Sequence, residues 1–146
     1  MKKVNFYLNN KIRVPNKRHL KQYLIDLFES EGKSLLLLNI IGLSDEELFV
    51  MNRSFLQHEY YTDIITFDLS DNPDNISGEL YISIDRVMEN AKNLSNFLLP
   101  EFYRVLFHGC LHLCGYNDKK PNEKKQMTIK ENSHLDEYAI CVSRGT

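Results

Sequence analysis

The sequence predicts an α/β fold: a single small domain with a four-stranded, mostly parallel sheet packed with about five helices. Three observations predict it. The chain has 146 residues, which is the length of one domain. Its composition, 42 % hydrophobic and 26 % charged, is typical of a globular protein with a buried core. Short apolar strand patterns are interleaved with helical patterns. We expect one domain to span residues 1–146.

The N-terminal part of the chain predicts one strand and one helix. Residues 3–8 fit a strand. A helix is expected over residues 17–31, with Asn16 as its N-cap and Gly32 as the residue that ends it. Apolar residues at the i, i+3, i+4 spacing predict its buried stripe, which consists of Leu20, Tyr23, Leu24, Leu27 and Phe28.

A second strand and a second helix follow. Residues 34–42 are almost continuously apolar, which fits a strand buried on both faces. Ser44 and Glu47 form the capping-box pattern, so a helix should begin there and run to about residue 55. Its expected apolar stripe is Leu48, Met51 and Phe55.

Two more strands and a third helix are expected in the middle of the chain. Residues 64–69 and 78–83 fit strands, and the turn-rich segment 70–77 between them fits a loop. Ser83 or Asp85 is the candidate cap of the next helix, which is expected to reach about residue 94.

The last two helices begin near prolines. Pro100 is expected at the start of one helix, and Pro121 begins another that runs to about residue 143. The first of these is apolar over most of its surface, so it should be central and buried, with a metal site at its end. Its expected core face is Phe102, Val105, Leu106 and Leu113.

Three convergent metal ligands are predicted at the end of this central helix. His108 and His112 are four residues apart, so both rings leave the same helix face. Gly115 can end the helix in a left-handed conformation, and Asp118 can then fold back toward the rings. Two imidazoles and one carboxylate with an open fourth position match a catalytic zinc site. An isolated histidine pair is more often packed or solvated, so the prediction depends on the continuation with Gly115 and Asp118.

The same stretch is similar to the zinc-protease signature HExxHxxGxxH, with Asp118 in place of the last histidine. The general-base glutamate of that signature is replaced by Gly109, which argues against an ordinary zinc-protease mechanism. Cys110 and Cys114 lie about 200° around the helix from the histidines. They are therefore expected to be small buried side chains rather than ligands, and Cys141 is interpreted in the same way.

The expected location is the cytoplasm, with no membrane partner. Three cysteines, an odd number, favour a reducing compartment. The N-terminus is too polar for a signal peptide, and no apolar run approaches the length of a membrane span. The formal net charge of −2 is not that of a generally basic nucleic-acid binder, so any RNA contact must come from a local patch.

Two blocks of sequence carry a family resemblance that covers nearly the whole chain. Residues 108–116, His-Gly-Cys-Leu-His-Leu-Cys-Gly-Tyr, closely resemble the HGxLHLxGY signature of the YbeY family, which are bacterial metal-dependent endoribonucleases that mature ribosomal RNA. Residues 62–67 and 78–83 resemble that family's TNVLSF and GDIxIS segments. In these two blocks the chain resembles the YbeY family.

The chain departs from the family pattern at two positions. Members usually have a third metal-binding histidine at the place of Asp118. A carboxylate can replace it on zinc at a similar distance, and two histidines with one aspartate also suit manganese, iron or nickel. Many members have a functionally important arginine at the place of Leu56. Arg53 and His58 are the candidates to replace it at a phosphate, although Arg53 is equally explained as a solvated helix charge.

The resemblance implies a single-strand-specific endoribonuclease in which a metal-activated water attacks a phosphodiester. Its implied role is maturation of the 16S rRNA 3′ end and ribosome quality control. The implied partners are the 16S rRNA precursor and the small ribosomal subunit. The implied cofactor is one divalent metal, with zinc expected first. No general acid or base is identified, and Glu79 is interpreted as a structural residue that pairs with a helix terminus.

The candidate contacts to the RNA backbone are Lys119 and Lys120, which directly follow Asp118. Lysines near a helix N-terminus oppose the helix dipole, which favours an external anion there, although a merely solvated surface explains them equally. Tyr60 and Tyr61, together with Tyr116 beside the site, can stack on unpaired bases.

Two other functions stay open. One is a ribosome assembly factor with a mainly structural metal, which the three-ligand set disfavours because structural zinc sites usually have four ligands. The other is a metal-dependent hydrolase of another substrate class, such as a peptidase, which Gly109 disfavours.

Overall fold

The structure, a computed structural model, describes residues 3–144. Within that range the strands are β1 (Lys3–Tyr7), β2 (Ser34–Leu43), β3 (Ile64–Asp68) and β4 (Asn75–Ser83). They form one sheet with the spatial order β1-β2-β4-β3. β1, β2 and β4 are parallel to one another, and β3 is antiparallel to β4 at one edge. The predicted four-stranded, mostly parallel sheet is confirmed.

Five helices lie in the same described range: α1 (Lys17–Ser30), α2 (Asp45–Leu56), α3 (Ile84–Asn93), α4 (Leu98–Leu113) and α5 (Pro121–Arg144). Their number agrees with the prediction. Over residues 3–144, none of the helices is both long enough and apolar enough to cross a membrane.

α4 is the central helix of the fold. Nine of its sixteen residues are buried, including the whole predicted core face, and it packs against α3, α5, β3 and β4. All five residues of the stripe predicted on α1 are buried as well. Burying one large apolar side chain contributes about 1.5–3 kcal/mol, so this core holds α4, with His108 and His112 in its last two turns, in a fixed position.

The prediction that β2 is buried on both faces is wrong. Leu38 and Ile40 are fully buried, whereas Asn39, between them, is half-buried and points to the other face of the sheet. There the Asn39 side chain donates a hydrogen bond to Glu79, and the hydroxyl of Tyr81 donates another. The partners of Glu79 are thus side chains of the sheet, and the expectation that it pairs with a helix terminus is wrong.

Several predicted boundaries differ from the observed ones. β4 begins at Asn75, so the loop before it is shorter, because residues 75–77 already pair with β2. α4 begins at Leu98, two residues before Pro100. A proline is tolerated there because N–H groups in the first turn have no partner within the helix. Asn16 precedes α1 but has a φ of 54° and makes no side-chain capping bond, so its predicted capping role is wrong.

Two predicted buried side chains are exposed. Phe55 is 69 % exposed on α2, because Asn52, at 1 % exposed, occupies the inner face of that turn. Cys141 is also exposed, whereas Cys110 is buried as predicted and Cys114 is intermediate. An apolar residue in the sequence does not show whether another element packs over it.

Candidate metal centre

α4 brings the two histidine rings of the predicted site together. His108 and His112 are one helical turn apart, and their ring centroids lie 4.6 Å apart in an edge-to-face arrangement. The two Nε2 atoms are separated by 3.0 Å. Both side chains are about one quarter exposed, so the rings are held by protein on one side and open to solvent on the other.

The chain reversal after α4 places the third predicted ligand. Gly115 has a φ of 105°, a left-handed conformation that favours glycine. The N–H of Tyr116 donates to the carbonyl of Leu111, and the N–H of Gly115 donates to that of His112, which is the Schellman pattern of helix ends. Asp118 then folds back, with Oδ2 3.2 Å from His108 Nε2 and 3.4 Å from His112 Nε2.

These three atoms fit a divalent ion. They form a triangle with sides of 3.0, 3.2 and 3.4 Å. A tetrahedral ion with bonds of about 2.0–2.1 Å requires ligand atoms about 3.3–3.4 Å apart. Among residues 3–144, His108, His112 and Asp118 are the group of acidic, histidine or cysteine side chains close enough to hold one ion. Two nitrogens and one oxygen suit zinc and also manganese, iron and nickel.

Glu131 on α5 orients His108, and the sequence reasoning missed it. Its Oε2 lies 2.6 Å from His108 Nδ1, and its Oε1 accepts a hydrogen bond from Arg104 at 3.0 Å. Glu131 is 7 % exposed. Burial of the His108 ring opposes its charged form, but the hydrogen bond and charge of Glu131, with Asp118, outweigh burial and raise its pKa. When His108 is neutral and Nδ1 donates to Glu131, the lone pair of Nε2 faces the triangle.

A sequence signal for Glu131 existed. The buried residues of α5 are spaced as one helical stripe, and two polar residues belong to it; the stripe consists of Met127, Glu131, His134 and Tyr138. An acidic residue at a core position of a helix indicates a buried partner. The partner itself, His108, lies 23 residues away and is set by the packing of α4 against α5.

Gly109 allows the sheet to approach the site closely. A Cβ atom at this position would lie 2.6 Å from Ile64 Cδ1 and 3.0 Å from Leu80 Cδ2. A glutamate here, as zinc proteases carry next to the first histidine, would have to displace the ends of the Ile64 and Leu80 side chains. β3 therefore begins directly beside His108, and Asp63, the residue before β3, lines the site.

Three cavities adjoin the candidate ligands. One of about 290 Å³ is lined by His108 and Asp118 with acidic residues and Arg104, and one of about 250 Å³ is lined by His108, Asp118 and residues of α5. The third is a larger cleft of about 590 Å³ that extends along β3 and includes all three ligands. His108 and Asp118 line all three, and Asp63 lines the first and the larger cleft.

Of the residues predicted to contact substrate, two line the larger cleft and two do not. His58 and Lys119 line it, and His58 stacks on Tyr60 at 5.0 Å with a hydrogen bond of 2.9 Å between them. Arg53 packs over the Phe49 ring instead. The backbone N–H of Lys120 donates to Glu123 at the start of α5. Leu56, which stands where the resemblance implies an arginine, also lines the cleft.

The predicted tyrosines differ in their environments. Tyr60 is 55 % exposed at the cleft, and its loop is anchored by the buried Asn52, whose side chain donates to the carbonyl of Tyr60. Tyr61 instead packs on Phe49 and donates to Glu46. Tyr116 donates its hydroxyl hydrogen to Glu31. Tyr60 is therefore the tyrosine placed to meet a ligand in the cleft.

Comparison with known proteins gives one consistent result. A family model described as Endoribonuclease YbeY matches residues 5–139. The chain is 44 % identical to the Endoribonuclease YbeY of Cytophaga hutchinsonii over 130 residues, which cover 89 % of this chain and 91 % of that protein. It is 41 % identical to the Endoribonuclease YbeY of Bacteroides thetaiotaomicron, and the match covers 88 % of this chain and 95 % of that protein. The solution structure of TM1509 from Thermotoga maritima is similar to this structure, with a TM-score of 0.66 and 27 % sequence identity. The match covers 93 % of this chain and 89 % of that chain.

Proposed function

The chain belongs to the YbeY family, and from this premise we propose that it is a metal-dependent endoribonuclease that cuts single-stranded RNA. Its proposed task is maturation of the 16S rRNA 3′ end and ribosome quality control in the cytoplasm, with the small ribosomal subunit as partner. The observation that carries the proposal is the triangle of His108 Nε2, His112 Nε2 and Asp118 Oδ2 at the floor of an open cleft.

The cofactor in this proposal is one divalent ion, with zinc first and manganese, iron or nickel as alternatives. When bound, such an ion would act as a Lewis acid on a phosphoryl oxygen and would activate a water. The protein's own residues hold the site in shape. Glu131 fixes the ring of His108, and the Gly115 turn holds Asp118 in reach of both histidines.

The cleft residues support RNA as the substrate. Tyr60 offers an exposed ring on which an unpaired base can stack. Lys119 places a positive charge beside Asp118, where a phosphate would meet the ion. Arg53 and Lys120 are outside the lining of this cleft, so a contact of either with the RNA backbone stays a prediction. Gly109 disfavours a peptidase, because it stands where that class has its general-base glutamate and the ends of the Ile64 and Leu80 side chains occupy the adjoining space.

The proposal is tested with the purified full chain and its His112→Ala and Asp118→Ala variants. We measure bound metal per chain, and cleavage of a single-stranded RNA and of the same RNA as a duplex. We expect one metal per chain and single-strand cleavage in the unmodified protein, and loss of both in the two variants. His19→Ala, on α1, is the control that removes a histidine elsewhere.

Two outcomes contradict parts of the proposal. Metal retained by Asp118→Ala would remove Asp118 from the ligand set. Metal bound by the unmodified protein with RNA left intact would favour the assembly-factor function over the nuclease.

A further inference from the structure

β3 lies at the edge of the sheet, so one side of its backbone has no neighbouring strand within residues 3–144. In an antiparallel pair, facing residues alternate between pairs that exchange hydrogen bonds and pairs that do not. The N–H of Ser83 donates to the carbonyl of Asp63, and the N–H of Leu69 donates to that of Ser77. The odd-numbered residues of β3 are therefore the ones whose backbone groups bond to β4.

The even-numbered residues of β3 turn their N–H and C=O groups away from β4. They are Ile64, Thr66 and Asp68, and all three line the 590 Å³ cleft. The groups of Ile64 are used locally, because its N–H bonds to the Asp63 carboxylate and its carbonyl accepts from the Thr62 hydroxyl at 3.4 Å. Thr66 and Asp68 therefore provide the outward groups that a ligand in the cleft can reach.

Thr66 lies at the level of the candidate ligands. The start of β3 packs at Gly109, and its end lies near Leu113 through Gly78, which faces it on β4. Thr66 is the central residue of β3, so it lies beside the part of α4 that carries His112. Both Thr66 and His112 line the cleft. A strand of RNA whose phosphodiester reaches the ligands would thus pass along the outward side of Thr66.

These free groups favour RNA over an added protein strand. A strand that extends a sheet is held by main-chain hydrogen bonds along a run of residues, but outward groups remain free at two positions only within residues 3–144. A phosphate needs a single N–H donor, and backbone N–H groups commonly bind phosphate oxygens. The carbonyl of Thr66 can also accept from a ribose 2′-OH. The Asp68 carboxylate opposes an anion, so Thr66 is the better donor.

We propose that the outward N–H of Thr66 binds an RNA phosphate next to the one that is cut, a role that rests on the proposed nuclease function. The RNA strand then lies along the free edge of β3, with Lys119 and Tyr60 on the same cleft. Because a backbone donor reads phosphate and no base edge, this contact is independent of the RNA sequence.

The test removes this donor with Thr66→Pro. Proline is tolerated in an edge strand where the N–H faces away from the sheet, so the bonds to β4 remain. Binding of a labelled single-stranded RNA is measured by fluorescence anisotropy, and cleavage is compared with that of UpU, which has one phosphate and hence no neighbouring one. We expect the affinity for the RNA to fall about 10-fold. Cleavage of UpU, metal per chain and thermal unfolding show whether the metal centre and the fold are retained.

Two further variants separate the contact from a distortion of the strand. Replacing the Thr66 N–H by an ester oxygen removes the donor without fixing φ, and it should weaken RNA binding as Thr66→Pro does. Lys119→Ala removes a cation, so the slope of log affinity against log salt should become shallower by about 0.7. Loss of the neutral N–H should leave that slope as it is in the unmodified chain.

Unchanged RNA affinity in both Thr66 variants would overturn the proposal and leave a protein strand as the occupant of this edge. Loss of metal, or an equal loss on RNA and UpU, would also overturn it, because the metal centre would then be what changed. If the unmodified protein binds the RNA but cuts neither substrate, the nuclease function fails, whereas the anisotropy comparison still decides whether Thr66 binds the strand.

Discussion

A single carboxylate, Glu131, decides which nitrogen of His108 faces the candidate metal site. The 2.6 Å contact to Nδ1 and the bond from Arg104 leave Glu131 with a partner on each oxygen. Such outer partners fix the orientation of a histidine ligand and increase its basicity. Arg104 in turn contacts Asn132, so the arrangement is anchored to α5 at two neighbouring residues.

Glu131→Gln should weaken metal binding about 10–100-fold while leaving the fold intact, because an amide is a poorer partner for the Nδ1 proton than a carboxylate. The measurement is competition for the metal with a chelator of known affinity. Asp136→Asn, an exposed acid on the same helix, is the control and should bind metal like the unmodified chain. Unchanged affinity in Glu131→Gln would show that Glu131 does not act on the metal through His108.

At the scale of the elements, the structure shows which side chains cap α2 and α3. The sequence left Ser83 and Asp85 as alternatives for the cap of α3. Ser83 is the cap, since its Oγ accepts from the Arg86 N–H and its hydroxyl donates to Asp45. Asp85 instead accepts from the backbone N–H of Asp45 and pairs with Lys11. Ser44 caps α2 through the complete capping box that the sequence predicted.

Ser83→Ala should destabilise the protein more than Ser44→Ala. Loss of an exposed cap costs about 1 kcal/mol. Ser83 is fully buried, so its removal also leaves Asp45 without one of its hydrogen bonds, and we expect a total of about 2 kcal/mol. Urea unfolding, with an unchanged m-value, measures the loss of unfolding free energy in both variants. Equal losses of unfolding free energy in the two variants would show that the hydrogen bond from Ser83 to Asp45 contributes nothing to stability.

At the scale of the whole molecule, Glu31 joins three separate parts of the chain. It directly follows α1 and accepts hydrogen bonds from the Tyr116 hydroxyl, in the turn after α4, and from Lys130 on α5. Its side chain is 12 % exposed. Burial opposes ionisation, but these two bonds and the charge of Lys130 outweigh it and lower the pKa of Glu31 below its ordinary 4.5. The turn that places Asp118 is thereby tied to the outer helices.

Glu31→Gln should reduce the free energy of unfolding by about 1–2 kcal/mol near pH 7. Because the pKa is lower in the folded state, the carboxylate's contribution is fully present above pH 4.5 and is lost as pH falls through the lowered value. Denaturant unfolding from pH 7 to about pH 3 should therefore show a difference in unfolding free energy between Glu31→Gln and the unmodified protein that is constant at first and shrinks below 4.5. Glu59→Gln, exposed in the α2–β3 loop, is the reference. A difference that stays constant over the whole range would exclude ionisation of Glu31 as its cause.

The sequence by itself determined the features that depend on neighbours along the chain. Helical spacing fixed the buried stripe of α1, and the interval between His108 and His112 fixed their common face. Gly115 predicted the turn that returns Asp118, because a left-handed residue is a local requirement. Capping at Ser44 was predictable for the same reason.

Only the tertiary structure decided the features that depend on distant segments. Glu131 and Asp63 reach His108 through the packing of α5 and β3 against α4, and no spacing rule connects residues 23 or 45 positions apart. The exposure of Phe55 and the half-buried face of β2 likewise depend on what lies over them. The close contact at Gly109 follows from the same cause, since the sequence shows a missing side chain but not the Ile64 and Leu80 side chains that occupy its place.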